Sequence, residues 1–273
     1  MYPEVFHIGS FPVRSYGLML AISFLAGVWY ISILAKRDNK PFEKYLAVAY
    51  ISIAGGVVGA RLAYVLFHLE EFAGDWTASF NPFAEGQYGI AGLNLYGGVI
   101  LAVLASYLYC RLAKLDVLDT FDYFSPTIGI GLAITRIGCF LNGCCFGTPT
   151  GMPWGVNFPE GSIPWYVYGN QHLHPSQLYS SLYGIGLFLL LAWILKKRKF
   201  VGQAIGIMFM VESVFRFAIE QVRYYENAMH IDFLGAQPTY NHIMSVALFL
   251  LGLGIYMYGR KYLRVESQTA SGN

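Results

Sequence analysis

Long apolar stretches alternate with short polar turns along this chain. A helix that crosses a bilayer needs about 20 mostly apolar residues, so windows of that length between polar turns are candidate spans. Seven windows qualify, at residues 16–35, 45–67, 93–112, 121–140, 176–195, 202–222 and 239–258. No soluble-domain composition interrupts them, and no internal repeat is evident. The pattern predicts an all-α integral membrane protein with seven transmembrane helices, folded as a single polytopic membrane domain over residues 1–273.

The composition agrees with this prediction. Hydrophobic residues make up 56% of the chain and charged residues 12%, whereas a soluble domain has about 25% charged residues. A net charge of +2 excludes a polybasic nucleic-acid binder and a strongly acidic chain, so no nucleic-acid partner is expected. The opening residues MYPEVFHIGS lack a basic segment and an A-x-A-like cleavage site, so no cleaved signal peptide is expected.

The basic residues indicate the orientation in the membrane, because Lys and Arg prefer cytoplasmic loops. Thirteen of the 18 basic residues follow predicted spans 1, 3, 5 and 7. The loops after those spans share one side of a seven-span chain. The N-terminus is therefore expected outside and the C-terminus in the cytoplasm, with a small external head at residues 141–175 between spans 4 and 5.

Five arginines remain, and most of them are hard to explain as anchors. Arg14 precedes span 1, where snorkelling to the interface is sufficient. Arg61, Arg136 and Arg216 lie within predicted spans, where an arginine costs roughly 2.5 to 3.5 kcal/mol and needs a polar partner. Arg223 ends span 6, where anchoring of that end is one sufficient explanation.

Two interpretations of the buried arginines stay open. Arg216 and Glu220 are four residues apart on one helical face, which favours a structural ion pair. Arginines from three different spans favour an anion site instead, since guanidinium groups match the geometry of phosphate. A phosphate beside lipid points to a phospholipid headgroup.

Three cysteines crowd the end of predicted span 4. Cys139, Cys144 and Cys145 could form a disulfide, coordinate a metal ion or serve as apolar filler. Their C-x4-C-C spacing matches no standard zinc pattern, so neither a metal site nor a cofactor is expected. Cys110 lies near the cytoplasmic end of span 3 and should stay reduced.

The head closes with the polar sequence HLHPSQLYSS, which leads into span 5. Pro175 breaks the chain, and Ser176 and Gln177 can begin the helix. The polar side chains at this helix mouth could be a simple cap.

Several stretches resemble one protein family. RIGCFLNGCCFGTPT, residues 136–150, is similar to the signature of bacterial prolipoprotein diacylglyceryl transferases, which reads approximately G-R-x-G-N-F-x-N-G-E-x-x-G-R. Four further stretches resemble family motifs in the same order: SYGLML at 15–20, GARLAYVLF at 59–67, HPSQLY at 174–179 and FRFAIEQVR at 215–223. Together they cover nearly the whole chain.

The resemblance implies an enzyme of the bacterial cytoplasmic (inner) membrane. Such an enzyme transfers the diacylglyceryl group of phosphatidylglycerol to the lipobox cysteine thiol in the signal peptide of a preprolipoprotein. A thioether forms and glycerol-1-phosphate leaves. The expected partners are therefore phosphatidylglycerol, the preprolipoprotein and the surrounding membrane lipid.

The matching positions give the expected site. Arg136 and Arg216 fall on the essential arginines of the family, and both are expected to be catalytic. The substrate-binding residues implied by the matching motifs are Tyr16, Arg61, Asn142, Gly143, Gly147, Gln177, Glu220 and Arg223.

The chain also departs from the family pattern. Tyr96 stands in LYGG where the family has histidine, Cys139 and Cys144 replace Asn and Glu of the signature, and Glu212 replaces a tyrosine. We expect Tyr96 to orient or deprotonate the acceptor thiol, with His174 as the rival base. Two alternatives stay open: intramembrane arginines also suit a transporter or flippase of an anionic amphiphile, and the Tyr96 substitution suits a noncatalytic lipid-binding relative.

Overall fold

The computed structural model describes residues 2–9, 11–72, 94–225 and 239–264. In these ranges a hairpin of β1 (Glu4–Ile8) and β2 (Phe11–Arg14) precedes the helices. The helices are α1 (Ser15–Arg37), α2 (Phe42–Phe67), α3 (Leu95–Leu112), α4 (Val117–Asn142), α5 (Ile163–Tyr168), α6 (Ser176–Lys196), α7 (Gln203–Ile219) and α8 (Tyr240–Tyr262). Short 3-10 turns at Leu69–Phe72 and Glu220–Val222 follow α2 and α7.

Six of these helices are long and apolar enough to cross a membrane: α1, α2, α3, α4, α6 and α8. They fall on six of the seven predicted windows, which supports a helical membrane protein. The remaining window, 202–222, corresponds to α7, a helix of 17 residues that continues into the 3-10 turn. The predicted start of span 3 at Leu93 lies outside the described residues. The hairpin of β1 and β2 was not predicted.

The chain divides into two compact units. The larger unit comprises Met1–Phe6, Val13–Gly27 and Phe121–Asn273, and the smaller unit comprises His7–Pro12 and Val28–Thr120. The larger unit contains α6, α7, α8 and most of α4, whereas α2 and α3 pack together in the smaller unit.

Glycines set the helix spacing in the larger unit. A Cβ on Gly129 of α4 would lie 2.6 Å from the backbone nitrogen of Phe188, and one on Gly184 of α6 would lie 2.6 Å from that of Ala133. The hydroxyl of Ser181 donates to the Ala133 carbonyl across 2.7 Å. Small residues therefore let α4 and α6 meet backbone to backbone, as in many membrane helix pairs.

The smaller unit shows the same kind of packing. A Cβ on Gly98 of α3 would lie 2.8 Å from the carbonyl oxygen of Gly56 of α2. At one end of the unit, Lys40 donates to the Asp119 carboxylate across 2.7 Å. These contacts combine close helix packing with a partly buried ion pair.

A carboxylate from α4 caps the start of α7. Asp122 is fully buried and accepts from the backbone nitrogens of Gly202 at 2.8 Å and Ile205 at 2.9 Å. Arg198 donates to the same carboxylate at 3.3 Å. The first backbone donors of a helix need such acceptors and favour negative charge, so Asp122 fixes where α7 begins.

The segment between α4 and α6 has its own small core. Phe146, Phe158 and Leu173 are buried there, and Tyr224 stacks on Phe146 with ring centroids 5.3 Å apart. The segment starts after Asn142 and contains only the short helix α5. It corresponds to the predicted head at 141–175 and is called the head below.

Candidate functional site

The end of α4 turns back on itself at Gly143. The backbone N–H of Gly143 donates to the Phe140 carbonyl at 3.3 Å, and that of Cys144 donates to the Cys139 carbonyl at 3.1 Å. Gly143 has a φ of 78°, which suits glycine because it has no Cβ. These two bonds define a Schellman ending, which brings the residue after the glycine against the last turn of the helix.

This turn gathers three thiols. The Sγ atoms of Cys139, Cys144 and Cys145 all lie within 4.8 Å of one another, and we call this group the thiol cluster. Cys145 has a φ of 61°, in the left-handed region that few side chains adopt. All four cysteines of the chain, Cys110 included, are free thiols.

Charge and hydrogen bonding favour a thiolate in the cluster. The pKa of the Cys145 thiol is lowered, because the thiols of Cys139 and Cys144 donate to its sulfur and the guanidinium groups of Arg223 and Arg136 lie near it. These effects outweigh burial, which alone would raise the pKa.

The first residues of α6 hold in place the loop that carries Cys144 and Cys145, which we call the thiol loop. The Ser176 hydroxyl donates to the Cys145 carbonyl at 2.8 Å, and Gln177 Nε2 donates to the Cys144 carbonyl at 2.8 Å. Neither side chain caps its own helix, so the reading of these residues as a simple cap is wrong. Gln177 is 1% exposed, and its Oε1 has no hydrogen-bond partner among the described residues.

Gly147 is enclosed by two other segments of the site. Its backbone N–H donates to the His174 carbonyl at 3.1 Å, and the next N–H, of Thr148, donates to the Val222 carbonyl at 2.9 Å. A Cβ on Gly147 would lie 2.6 Å from both carbonyl oxygens. The close backbone approach expected for this glycine is therefore present, and it joins the head to the strand-like bridge at Arg223.

Three of the predicted arginines act on shared neighbours in the larger unit. The charges of Arg216 and Arg136 both act on the carboxylate of Glu212, and those of Arg223 and Arg136 both act on the thiol of Cys145. Arg136 comes from α4, Arg216 from α7, and Arg223 follows α7. The described residues offer no hydrogen-bond partner to Arg223 Nε, although it is buried.

Glu212 of α7 lies near the Tyr183 hydroxyl of α6 and near the guanidinium groups of Arg216 and Arg136. The Tyr183 hydroxyl of α6 is its neighbour, and the Tyr183 ring stacks on Phe215 with centroids 3.7 Å apart. The Tyr183 hydroxyl and Glu212 Oε2 are both buried, and the hydroxyl and the carboxylate lie close enough to interact with each other. The pair therefore places a buried polar contact between α6 and α7.

Glu220 has a structural role. Its carboxylate is the ion-pair partner of Arg216 at 3.7 Å, so the pairing predicted from the four-residue spacing is present. The same carboxylate accepts from the Tyr225 hydroxyl at 2.7 Å and from the Thr239 hydroxyl at 3.1 Å. Burial raises the pKa of Tyr225, which keeps it a donor to Glu220. Glu220 thereby joins the end of α7 to the start of α8.

Tyr16 of α1 packs against α4 at Gly138, next to Cys139 in the sequence. A Cβ on Gly138 would lie 3.2 Å from the Tyr16 Cα and 2.9 Å from the Met19 Cβ. The Tyr16 phenol interacts electrostatically with the thiol cluster and with Arg136. The structure thus brings Tyr16 to the predicted site.

His174 is engaged in a hydrogen-bond chain within the larger unit. Its Nδ1 lies 3.2 Å from the Tyr179 hydroxyl, and that hydroxyl accepts from Trp154 Nε1 at 2.8 Å. Because the indole N–H only donates, the Tyr179 hydroxyl is free to donate to His174 Nδ1. This chain ties the head to α6.

Two predicted residues belong to the smaller unit. Arg61 lies over the rings of Tyr64, at 5.7 Å, and Phe72, at 5.6 Å. Tyr96 is in the first turn of α3 and is 50% exposed, and the Asn94 side chain accepts from its backbone N–H at 3.0 Å. The remaining predicted residues lie in the larger unit.

Sequence reasoning missed the roles of three residues. Ser176 supports the loop that carries Cys144 and Cys145. Tyr183 is the neighbour of Glu212, and Thr239 donates to Glu220. The only available signal was a polar residue inside an apolar window. That signal does not reveal which partner the residue meets.

Known proteins resemble this chain along nearly its full length. The model of the prolipoprotein diacylglyceryl transferase family matches residues 3–258. The phosphatidylglycerol–prolipoprotein diacylglyceryl transferase of Thermotoga maritima is 33% identical over 91% of this chain and 81% of its own length. The enzyme of the same name from Nitratidesulfovibrio vulgaris is 32% identical over 94% of this chain and 94% of its own length. That of Clostridium tetani is 29% identical over 94% of this chain and 97% of its own.

Proposed function

The chain belongs to the prolipoprotein diacylglyceryl transferase family, and from this premise we propose that it transfers diacylglyceryl groups from phosphatidylglycerol to prolipoproteins. The acceptor is the lipobox cysteine thiol of the signal peptide. A thioether forms and glycerol-1-phosphate leaves. The enzyme is a transferase, and its site of action is the bacterial cytoplasmic (inner) membrane.

We further propose seven membrane spans, with α7 and its 3-10 turn as the sixth in chain order. The N-terminus is then outside and the C-terminus cytoplasmic. Basic residues in the loops after α1, α3, α6 and α8 support this orientation. The head and the thiol cluster then face the outer leaflet, where the lipid substrate and the signal peptide meet.

The observation that carries the proposal is the convergence of Arg136, Arg216 and Arg223 in the larger unit. Placing three partly buried guanidinium groups around common partners is costly unless anions are present. Glu212 and Glu220 offset part of this charge. A lipid phosphate would offset the rest and would bind by paired N–H donors.

The chemistry follows from that placement. The acceptor thiolate attacks the glycerol carbon that carries the phosphate ester, and the carbon–oxygen bond breaks. Negative charge grows on the departing phosphate, and Arg136 and Arg216 stabilise it in a site poor in water. Arg223, Asn142, Gln177 and Tyr16 surround the headgroup. The roles expected for Arg61, in substrate binding, and for Tyr96, in orienting or deprotonating the thiol, stay predictions from the family resemblance.

The proposal is tested by a transfer assay with purified protein, phosphatidylglycerol vesicles and a lipobox peptide. Arg136→Ala and Arg216→Ala should each abolish thioether formation, and lysine should rescue poorly because it lacks the paired donors. Arg260→Ala, at the far end of α8, is the matched control and should remain active. Near-normal transfer in either alanine variant would show that the phosphate assignment is wrong. Lipid binding without transfer by the unaltered protein would favour the noncatalytic alternative.

A further inference from the structure

The proposed transfer uses the arginines and leaves the thiol cluster without a role. Its three sulfurs lie within 4.8 Å of one another. Tetrahedral zinc–thiolate bonds of about 2.3 Å place bound sulfurs about 3.8 Å apart. A closing movement of about 1 Å would therefore form three bonds to one ion. In the described part of the chain, no His, Asp or Glu joins the cluster, so a fourth position would stay open.

The local backbone is organised around this convergence. The Schellman ending at Gly143 folds Cys144 over Cys139, and the left-handed Cys145 brings its thiol to the same side. Neighbouring residues in an extended chain would point apart instead. Ser176 and Gln177 then fix the carbonyls of this loop from α6. Unfavourable backbone conformations that the surroundings hold in place are typical of functional sites.

The charges around the cluster suit an anionic metal site. Three thiolates and one Zn²⁺ carry a net charge of −1. The guanidinium groups of Arg223 and Arg136 lie close enough to act on Cys145. They can balance that charge, which a lone thiolate-rich site in an apolar protein would leave uncompensated. Thiolate ligands select soft ions such as Zn²⁺.

We propose that Cys139, Cys144 and Cys145 bind Zn²⁺ and that the open fourth position takes the sulfur of the acceptor cysteine. The second half rests on the proposed transferase function. The zinc site departs from the expectation that the chain holds no metal, which was based on the linear spacing of the cysteines alone. Spacing misses this site because the Schellman turn, and not the C-x4-C-C pattern itself, sets the sulfur positions.

The step balances as follows. The acceptor thiol replaces a zinc-bound water, and its proton passes to solvent, because a thiol that coordinates zinc is deprotonated. The zinc-bound sulfur forms a bond to the glycerol carbon as the carbon–oxygen bond to phosphate breaks. Glycerol-1-phosphate leaves with the bonding pair, and the neutral thioether dissociates from the ion.

A disulfide is the competing fate of the cluster. It would join two sulfurs and leave the third without a function, whereas a metal ion uses all three. The two fates are separable, since a disulfide cannot bind zinc until it is reduced.

The binding test uses the full chain in detergent, reduced and then freed of metal. We expect one tightly bound Zn²⁺ per chain by equilibrium dialysis, and sulfur-to-metal charge-transfer absorption with Co²⁺. Cys139→Ser, Cys144→Ser and Cys145→Ser should each lose stoichiometric binding, while Cys110→Ser should keep it. A folded, reduced protein that binds no Zn²⁺, or three serine variants that all bind as well as the unaltered chain, would overturn the proposal.

The acceptor test separates the metal role from the transferase function. A lipobox peptide with cysteine should change the Co²⁺ spectrum, and the same peptide with serine should not. Removing the metal should slow transfer by at least about tenfold, with recovery on adding Zn²⁺. An unchanged spectrum, or full transfer by the metal-free protein, refutes acceptor binding at the metal while leaving the transferase function intact. A spectral change with no transfer by the zinc-loaded protein refutes the transferase function and leaves the metal site standing.

Discussion

Gln177 and Cys144 are joined by a hydrogen bond of 2.8 Å from the amide Nε2 to the backbone carbonyl oxygen. The bond ties the first turn of α6 to the loop that leaves α4. Because Gln177 is 1% exposed, its amide cannot turn to water if the carbonyl oxygen moves away. The position of the thiol loop therefore depends on a side chain from another helix.

Gln177→Leu should destabilise the protein by about 0.5–1.5 kcal/mol, since it removes the donor to the Cys144 carbonyl. Thermal unfolding in detergent measures the loss, and transfer activity should fall with it. Gln171→Leu, on the exposed side of the head, is the control and should have little effect. Equal stability of the two variants would mean that the amide does not hold the loop.

Gly147→Ala should disrupt the head. The new Cβ would meet two backbone carbonyl oxygens at 2.6 Å, and backbone cannot move aside as a flexible side chain can. We expect a loss of at least about 2 kcal/mol and faster cleavage of the head by protease. Gly151→Ala has nothing within 4 Å of its Cβ and should behave like the unaltered chain. If the head of the Gly147→Ala variant stays intact, the backbone around Gly147, His174 and Val222 is packed more loosely than the structure indicates.

Asp122→Ala should be among the most damaging changes away from the site. It removes the acceptor of two backbone donors of α7 and leaves Arg198 without its buried partner. Breaking such a pair costs about 3–5 kcal/mol. The unfolding temperature in detergent should drop strongly, while Glu160→Gln, an exposed change in the head, should leave it unaltered. A mild effect would indicate that water replaces the carboxylate.

Tyr96→Phe should slow transfer more than His174→Gln does, and Tyr96→His should recover part of the rate. The contacts of His174 with Tyr179 favour an anchoring role for the imidazole. Tyr179→Phe removes the same hydrogen bond but keeps the imidazole, so it should match His174→Gln in rate and stability. Full activity of Tyr96→Phe across pH 6 to 9, together with an inactive His174→Gln and an active Tyr179→Phe, would assign the base to His174.

The proposed orientation predicts that the thiol cluster faces the outside of the cell. A membrane-impermeant thiol reagent should reach Cys144 or Cys145 in reduced, metal-stripped spheroplasts, since both are only partly buried. Cys110 should react only after the membrane is opened. Labelling of Cys110 in sealed cells, with protection of the other three after unfolding, would reverse the topology.

The apolar windows predicted the helices well where the sequence is uniformly apolar. The window at 176–195 begins at the same residue as α6. The window at 202–222 is longer than α7, because Glu220 ends the helix by bonding to Tyr225 and Thr239 and the chain tightens into a 3-10 turn. The hairpin of β1 and β2 escaped prediction because its strands are only 5 and 4 residues long.

The sequence predicted which residues belong to the candidate site better than it predicted how they are arranged. Arg136 and Arg216 were picked out because charge inside an apolar span needs a partner. Gly143 after the end of α4 was a readable stop signal, yet its consequence for Cys139 and Cys144 depends on backbone angles that the sequence does not state. The contact between Glu212 and Tyr183 joins two helices, and no local pattern encodes such a pairing.

The stacking of Tyr224 on Phe146 has a consequence for biosynthesis. Phe146 and Leu173 leave the ribosome well before Tyr224, which is made only after α6 and α7. The small core of the head therefore stays incomplete while two further helices are synthesised, at about 5–20 residues per second. In the proposed orientation, the incomplete head is outside the membrane during those seconds, with free thiols at its base. A nascent chain stalled before Tyr224 should thus be the form most sensitive to oxidation and proteolysis.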